Sequence, residues 1–309
     1  IVRRRFRSEK RGCSRKLCKA AQDPPVREKC KPRPPVHCAA AGELLHSRPT
    51  VKRSQIALQL YTLREFCRDR RALADTCRRI REIGYEAVQV SGVDRSVVPE
   101  TEIRAICAEH GLTICATHEG SEEILQNPAR VVERLQQIGC SLTAYPFPKG
   151  FDLSDEAAVG QLIRALENAG QVLADAGLVL AYHHHHHEFR RQGGQLILEK
   201  ILAETSPRHL QAELDTYWVQ FGGGNPVSWC EQVTGRLPII HLKDYRINAQ
   251  SQVEFAEVGS GNLDMPAIIR AAEKAGCRWF AVEQDTCAGD PFEAITRSFR
   301  YLQGLCEPA

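Results

Sequence analysis

Short apolar runs and helix-forming stretches alternate without a break from residue 56 to residue 302. That regularity constrains the fold more than any single motif. The apolar runs cover residues 56–60, 87–90, 113–117, 142–145, 178–182, 210–214, 238–242 and 279–282. Between them, residues 71–83, 100–110, 128–138, 155–176, 195–203, 226–233, 266–275 and 291–302 carry helix-forming sequence. Gly84 and Gly111 stand where helix ends favour positive φ, and three helices open with Pro after Asn127, Asn225 or Asp290, all good capping residues. The runs are apolar almost throughout, as strands covered on both faces are. An open doubly wound sheet also alternates, but no GxGxxG follows the first run, and eight units match barrel closure. The expected fold is therefore an α/β protein, a (β/α)8 TIM barrel over residues 54–309.

Residues 1–53 are expected to stand apart from that barrel. They hold 16 Lys/Arg against 4 Asp/Glu, whereas the remainder holds 25 against 34, so a basic extension precedes an acidic body. The extension is rich in Arg, Lys and Pro without hydrophobic periodicity, which favours disorder. Its start, Arg3-Arg4-Arg5-Phe6-Arg7, has twin arginines but no apolar segment after them, which argues against export. Cys13, Cys18, Cys30 and Cys38 fit no standard zinc spacing. The other nine cysteines are scattered, several within apolar runs, and read as buried small hydrophobes of a reducing cytoplasm. No apolar stretch approaches the roughly 20 residues that span a bilayer.

Four of the apolar runs end on a metal-type ligand: His183, Asp215, His241 and Glu283, spaced 32, 26 and 42 residues apart. Barrel closure brings all strand ends to one rim, where active sites of this fold sit. The other run ends supply Gln59, Tyr61, Arg64, Gln89, His118, Glu119, Tyr145, Lys243, Asp244 and Asp285. So polar a rim is better explained by a ligand site than by eight coincidental exits to water. Nitrogen and oxygen donors without thiolate suit Mn²⁺, Zn²⁺, Mg²⁺ or Fe²⁺. In the run His183–His187, alternation points His183 and His185 one way and His184 the other. His186 and His187 fall in the loop, and Glu188 is placed to reach the metal or to orient a histidine.

Gln59–Arg64 (QLYTLR), Ala181–Phe189 (AYHHHHHEF), Leu214–Val219 (LDTYWV), His241–Asp244 (HLKD), Val258–Asp264 (VGSGNLD) and Val282–Asp285 (VEQD) occur in an order that resembles the sugar phosphate isomerase/epimerase group of xylose isomerase-like TIM barrels. The resemblance covers about residues 54–304. In ketose 3-epimerases of that group, Glu, Asp, His and Glu from the last four strands hold a divalent metal, and the two glutamates exchange a proton with the substrate. It thus implies that His183, Asp215, His241 and Glu283 hold the metal, with His183 standing where the epimerases have Glu. A His there is similar to inosose dehydratase-like members and to enzymes that eliminate from 3-keto-glycosides.

The resulting expectation is a metal-dependent sugar isomerase or epimerase that abstracts a proton beside a carbonyl through a metal-stabilised enediolate, with a lyase or dehydratase on keto-sugars or keto-inositols as runner-up. Glu283, His185 and Lys243 are the expected catalytic residues. Gln59, Tyr61, Arg64, His118, Tyr145 and Trp218 are the expected substrate contacts, and His185, His118 and Lys243 are alternative bases to Glu283. The expected partner is a small sugar or keto-sugar in the cytoplasm, without membrane association, and the sequence leaves a homo-oligomer open. A nuclease reading, prompted by the basic extension and by the AP endonucleases of the same superfamily, is disfavoured by the acidic body and by too few ligands for a three-metal cluster. A barrel that binds a sugar without turnover is the remaining alternative.

Overall fold

The structure, a computed structural model, describes residues 51–306. The basic extension and its four cysteines lie outside the described residues, except that Val51 is buried and Arg53 donates hydrogen bonds to Gly84 O. Eight strands close a barrel: β1 (Ile56–Gln59), β2 (Ala87–Val90), β3 (Thr113–His118), β4 (Leu142–Tyr145), β5 (Val179–His183), β8 (Gln211–Asp215), β9 (Ile239–Leu242) and β12 (Trp279–Val282). Every barrel pairing is parallel, and β1 closes the ring by pairing Ile56 with Phe280 and Leu58 with Val282. The (β/α)8 expectation holds.

Helices α1 (Arg70–Ile83), α2 (Glu100–Glu109), α4 (Pro128–Ile138), α5 (Glu156–Asp175), α6 (Ile197–Ala203), α8 (Pro226–Gln232), α9 (Met265–Lys274) and α10 (Pro291–Leu305) follow the strands. Their boundaries lie within about three residues of expectation. Asn225 and Asp290 cap as expected, each accepting from backbone amides of the first turn, whereas Asn127 makes no side-chain cap. Gly84 is required at the end of α1: its φ is +124°, and a Cβ there would come within 2.6 Å of the Phe299 ring.

Further elements interrupt the simple alternation, among them a 3-10 helix over Leu60–Phe66 that carries Tyr61 and Arg64 to the cleft. The helix α3 (Ser121–Gln126) follows β3, and α7 (Thr216–Phe221) follows β8 directly. Two antiparallel hairpins, β6 (Arg191–Gln192) with β7 (Gln195–Leu196) and β10 (Asp244–Ile247) with β11 (Val253–Ala256), complete the fold. The first hairpin takes residues 195 and 196 from the start of the expected helix 195–203.

Side-chain parity along the strands decides what reaches the site. Ala57, Ala87, Ala144, Ala181, Ile239 and Ala281 form a separate cluster of mostly small residues, and the register sets Ala57 beside both Ala87 and Ala281. The intervening residues, among them Ile56, Leu58, Val88, Leu180 and Leu214, pack outward with the helices. Two residues beyond the inner positions come Gln59, Gln89, His183, His241 and Glu283, and Glu213 and Asp215 share the inward parity of β8.

Candidate metal centre and cleft

His183 and Asp215 end β5 and β8, Glu283 immediately follows β12, His241 is the penultimate residue of β9, and each is buried. One donor atom from each lies within 4.8 Å of the other three. His241 Nδ1 is 2.9 Å from Glu283 Oε2 and 3.8 Å from Asp215 Oδ2. Metal–ligand bonds of about 2.0–2.2 Å put neighbouring donors roughly 3–4 Å apart, so these separations suit one ion. His183 Nδ1 and Asp215 Oδ2 are buried beside charged groups only: Glu213 Oε1 lies 3.3 Å from the ring nitrogen, and the Lys243 ammonium, 3.0 Å from the carboxylate, already marks the space as one for a cation. The residues present therefore fit a divalent metal.

Lys243 shares this space. Its ammonium lies 2.8 Å from Glu283 Oε2, 3.0 Å from Asp215 Oδ2 and 3.1 Å from Asp285 Oδ1. Burial works against its charge, but the three carboxylates outweigh it and keep the amine firmly protonated. Burial raises Asp215 to about 6 in spite of Lys243. In Glu283 the attraction of Lys243 and His241 overcomes burial, so its carboxyl stays well below the usual range. His183 is pushed down to about 3 by burial and is a neutral ring at physiological pH. Burial also opposes the charge of His241, yet Glu213 and Glu283 draw it up to about 10.

The histidine run divides by parity as expected. His183 and His185 face a cleft of about 560 Å³, lined also by Tyr61, Arg64, His118, Phe147, Lys243, Glu283 and Asp285. His184 points away: its Nδ1 donates to His185 O, so its Nε2 accepts the Asp215 backbone N–H at 3.1 Å. That bond ties β5 to β8 directly beneath two candidate ligands. His186 and His187 are partly exposed, and their rings touch at a 45° tilt with centres 4.0 Å apart. The Glu188 carboxylate accepts the backbone N–H of His185 and the Tyr182 O–H at 2.9 Å each, so it fixes the main chain at His185 and makes no bond to an imidazole.

The His184 arrangement predicts a pH dependence. Burial lowers its imidazole from the usual value near 6.5 to about 4, so the folded state holds the neutral ring while the unfolded state takes a proton. That stabilising contribution is complete above about pH 6.5 and disappears as pH falls through 4. At pH 5 this site alone is expected to cost about 2 kcal/mol relative to pH 7.5 or above. Urea midpoints of the metal-free protein should show the loss, and His184→Asn, which keeps a donor and an acceptor but does not titrate, should flatten it.

Of the six expected substrate contacts, Tyr61, Arg64 and His118 line the cleft. The Arg64 guanidinium stacks 4.3 Å from the Tyr61 ring centre and donates to Asp285 O. Gln59 is buried inside the barrel with Nε2 unpaired. Trp218, on α7, packs beside His185 and His186 and lies 5.4 Å from Lys243 Nζ without lining the cleft. Tyr145 has outward parity and stacks on Tyr182, away from the cleft.

Glu213 was not among the expected site residues. It is fully buried, with Oε1 2.5 Å from His118 Nε2, 3.0 Å from His241 Nε2 and 3.3 Å from His183 Nδ1, while Gln89 Nε2 donates to Oε2. The signal was available: it stands two residues before Asp215 in a strand, so both must face inward. Asp244, part of the HLKD segment, turns out to organise a loop. Its carboxylate accepts the amides of Tyr245, Gly259, Gly261 and Leu263.

Comparison with known proteins agrees with this architecture. The chain is 26% identical over 162 residues to an inosose dehydratase of Geobacillus thermodenitrificans, an overlap of 47% of this chain and 54% of that protein. The chain thus spans about half the length of the curated relatives it first matches. A sugar phosphate isomerase/epimerase from Parabacteroides distasonis superposes with a TM-score of 0.69 at 22% identity, covering 82% of this chain and 94% of that one. A 3-keto-D-glucoside 4-epimerase from E. coli superposes with a TM-score of 0.63 at 19% identity, covering 81% and 99%. The model of the xylose isomerase-like TIM barrel family matches residues 77–305, and the chain belongs to that family.

Proposed function

We propose that the protein is a metal-dependent enzyme that removes the proton beside the carbonyl of a keto-sugar or keto-inositol and then expels a β-hydroxyl as water. The observation that carries the elimination reading is the histidine at the end of β5. Exchange of a proton between two faces needs two bases, and the cleft offers one metal-site carboxylate, Glu283, opposite His183 and His185. The sequence reading placed epimerisation first, but this asymmetry and the dehydratase relatives favour elimination. Epimerisation stays open as a second reading through its shared first step.

The roles follow from the contacts. Glu283 Oε2 is held by His241 and Lys243, whereas Oε1 makes no hydrogen bond among the described residues and is the oxygen left to take the proton. The Lys243 ammonium stands beside it to balance the negative charge that develops on the substrate. His185 is kept neutral by burial, and its unpaired Nδ1 can hydrogen-bond the departing hydroxyl, which leaves as water when the proton taken from carbon by Glu283 is returned to it. A divalent cation held by His183, Asp215, His241 and Glu283 would polarise the carbonyl and acidify the adjacent C–H. Tyr61 and Arg64 would orient the substrate from the rim.

The product separates the readings. Incubation of metal-loaded protein with a keto-inositol and with ketohexoses is expected to yield a dehydrated product with new ultraviolet absorbance. Glu283→Gln should lower that rate by about 10³-fold or more, as loss of a proton-transfer group does, even with metal restored. An epimer in place of the dehydrated product would reassign the protein to the second reading.

A further inference from the structure

We infer that the barrel has a second cation position, formed by His118, His183, His241 and Glu213, lying deeper than the one proposed above. One donor atom from each of these residues lies within 4.8 Å of the others, and three imidazole nitrogens converge on Glu213 Oε1. With metal–ligand bonds of about 2.0–2.1 Å, neighbouring donors of a four-coordinate ion stand roughly 3.3 Å apart. The observed 2.5, 3.0 and 3.3 Å need to open by less than about 1 Å.

Charge separates this position from the upper one. Asp215 and Glu283 already share the Lys243 ammonium, but Glu213 has no Lys or Arg partner among the described residues, only imidazoles and Gln89. A fully buried carboxylate calls for a cation; here the protonated His241, 3.0 Å away, holds that place, and a metal ion would take it over as His241 gives up its proton. Three nitrogens and one oxygen make a donor set for a borderline transition ion such as Zn²⁺ or Cu²⁺, whereas a set with two carboxylates also suits Mg²⁺ or Mn²⁺. His241 joins the positions, with Nδ1 toward Glu283 and Asp215 and Nε2 toward Glu213. His118 is the entry side, because it lines both the central cleft and an adjoining one of about 670 Å³.

The position goes beyond the proposed function, though it shares His183 and His241 with it. The test is zinc stoichiometry by atomic absorption on full-length protein stripped with chelator, loaded with ZnCl₂ and desalted. Each of His118→Ala and Glu213→Gln is expected to bind one equivalent fewer than the unsubstituted chain. Asp215→Asn should also bind one fewer, and Asp215→Asn/Glu213→Gln two fewer. Loading with Co²⁺ should give two sets of visible d–d bands, one of them absent from His118→Ala, and circular dichroism confirms folding of each variant. If His118→Ala and Glu213→Gln keep full stoichiometry while Asp215→Asn loses one equivalent, the second position is overturned and the upper one stands. The reverse pattern supports this position and overturns the upper one, and unchanged stoichiometry in every variant overturns both.

Discussion

Asp215→Asn is expected to abolish turnover and weaken metal binding by about 100-fold or more while leaving the fold intact. Three contacts justify the separation. Asp215 Oδ1 caps α7 by accepting Trp218 N–H at 3.0 Å, and asparagine caps about as well as aspartate. Its backbone amide, held by His184, is unaffected. Its Oδ2, buried 3.0 Å from the Lys243 ammonium and 3.8 Å from His241 Nδ1, is the atom whose charge is lost. With metal at about 1,000 times its Kd, binding stabilises the folded state by about 4 kcal/mol; a 100-fold weaker site at the same concentration leaves only about 1 kcal/mol. Thermal unfolding with and without metal therefore reads the change directly. A variant whose transition still rises fully with metal would remove Asp215 from the ligand set.

Asp244→Ala is expected to destabilise the protein by about 3 kcal/mol or more without lowering metal affinity comparably. The carboxylate accepts four backbone amides, at 2.8, 3.0, 3.1 and 3.2 Å, and so closes the turn from Val258 to Asp264 onto β10. Charged acceptors contribute roughly 1.5–3 kcal/mol per hydrogen bond, although four bonds to one group do not add fully. The turn is close-packed: a Cβ on Gly261 would lie 2.2 Å from Asp244 Oδ1. Asp244→Asn retains one carbonyl acceptor but presents an amide N–H₂ to half of the donors, so intermediate stability is expected. Urea unfolding gives the energies, and hydrogen exchange should accelerate at Gly259, Gly261 and Leu263. Equal loss of metal affinity and stability would place Asp244 in the metal centre.

These two aspartates also mark what the sequence made legible. Both stand at the ends of apolar runs, yet one points into the barrel and the other holds a loop. Asp215 has inward parity on β8, whereas Asp244 opens the hairpin of β10 and β11, which the alternation of apolar runs gave no reason to expect. Tyr145 illustrates the same limit, since counting run ends cannot distinguish an outward final residue from an inward one. Glu213 was hidden for the opposite reason. It interrupts an apolar run, and the eye follows the run to its end, but a charged residue two positions before Asp215 has to be buried with it. The barrel itself was legible because burial on both faces forces eight apolar strands, and the rim elements were not, because their sequences answer to local packing around the cleft.

The central claim is that this buried set of donors drives removal of a proton beside a carbonyl. Solvent exchange tests it most directly. Metal-loaded protein is incubated in D₂O with a keto-inositol and with ketohexoses, and proton NMR follows the C–H adjacent to each carbonyl. The account predicts deuterium at that carbon in substrate or product for at least one of these ketones, with exchange lost in Asp215→Asn and Glu283→Gln. Conversion of a ketone with no deuterium at that carbon, or exchange that persists at full rate in both variants, would contradict it.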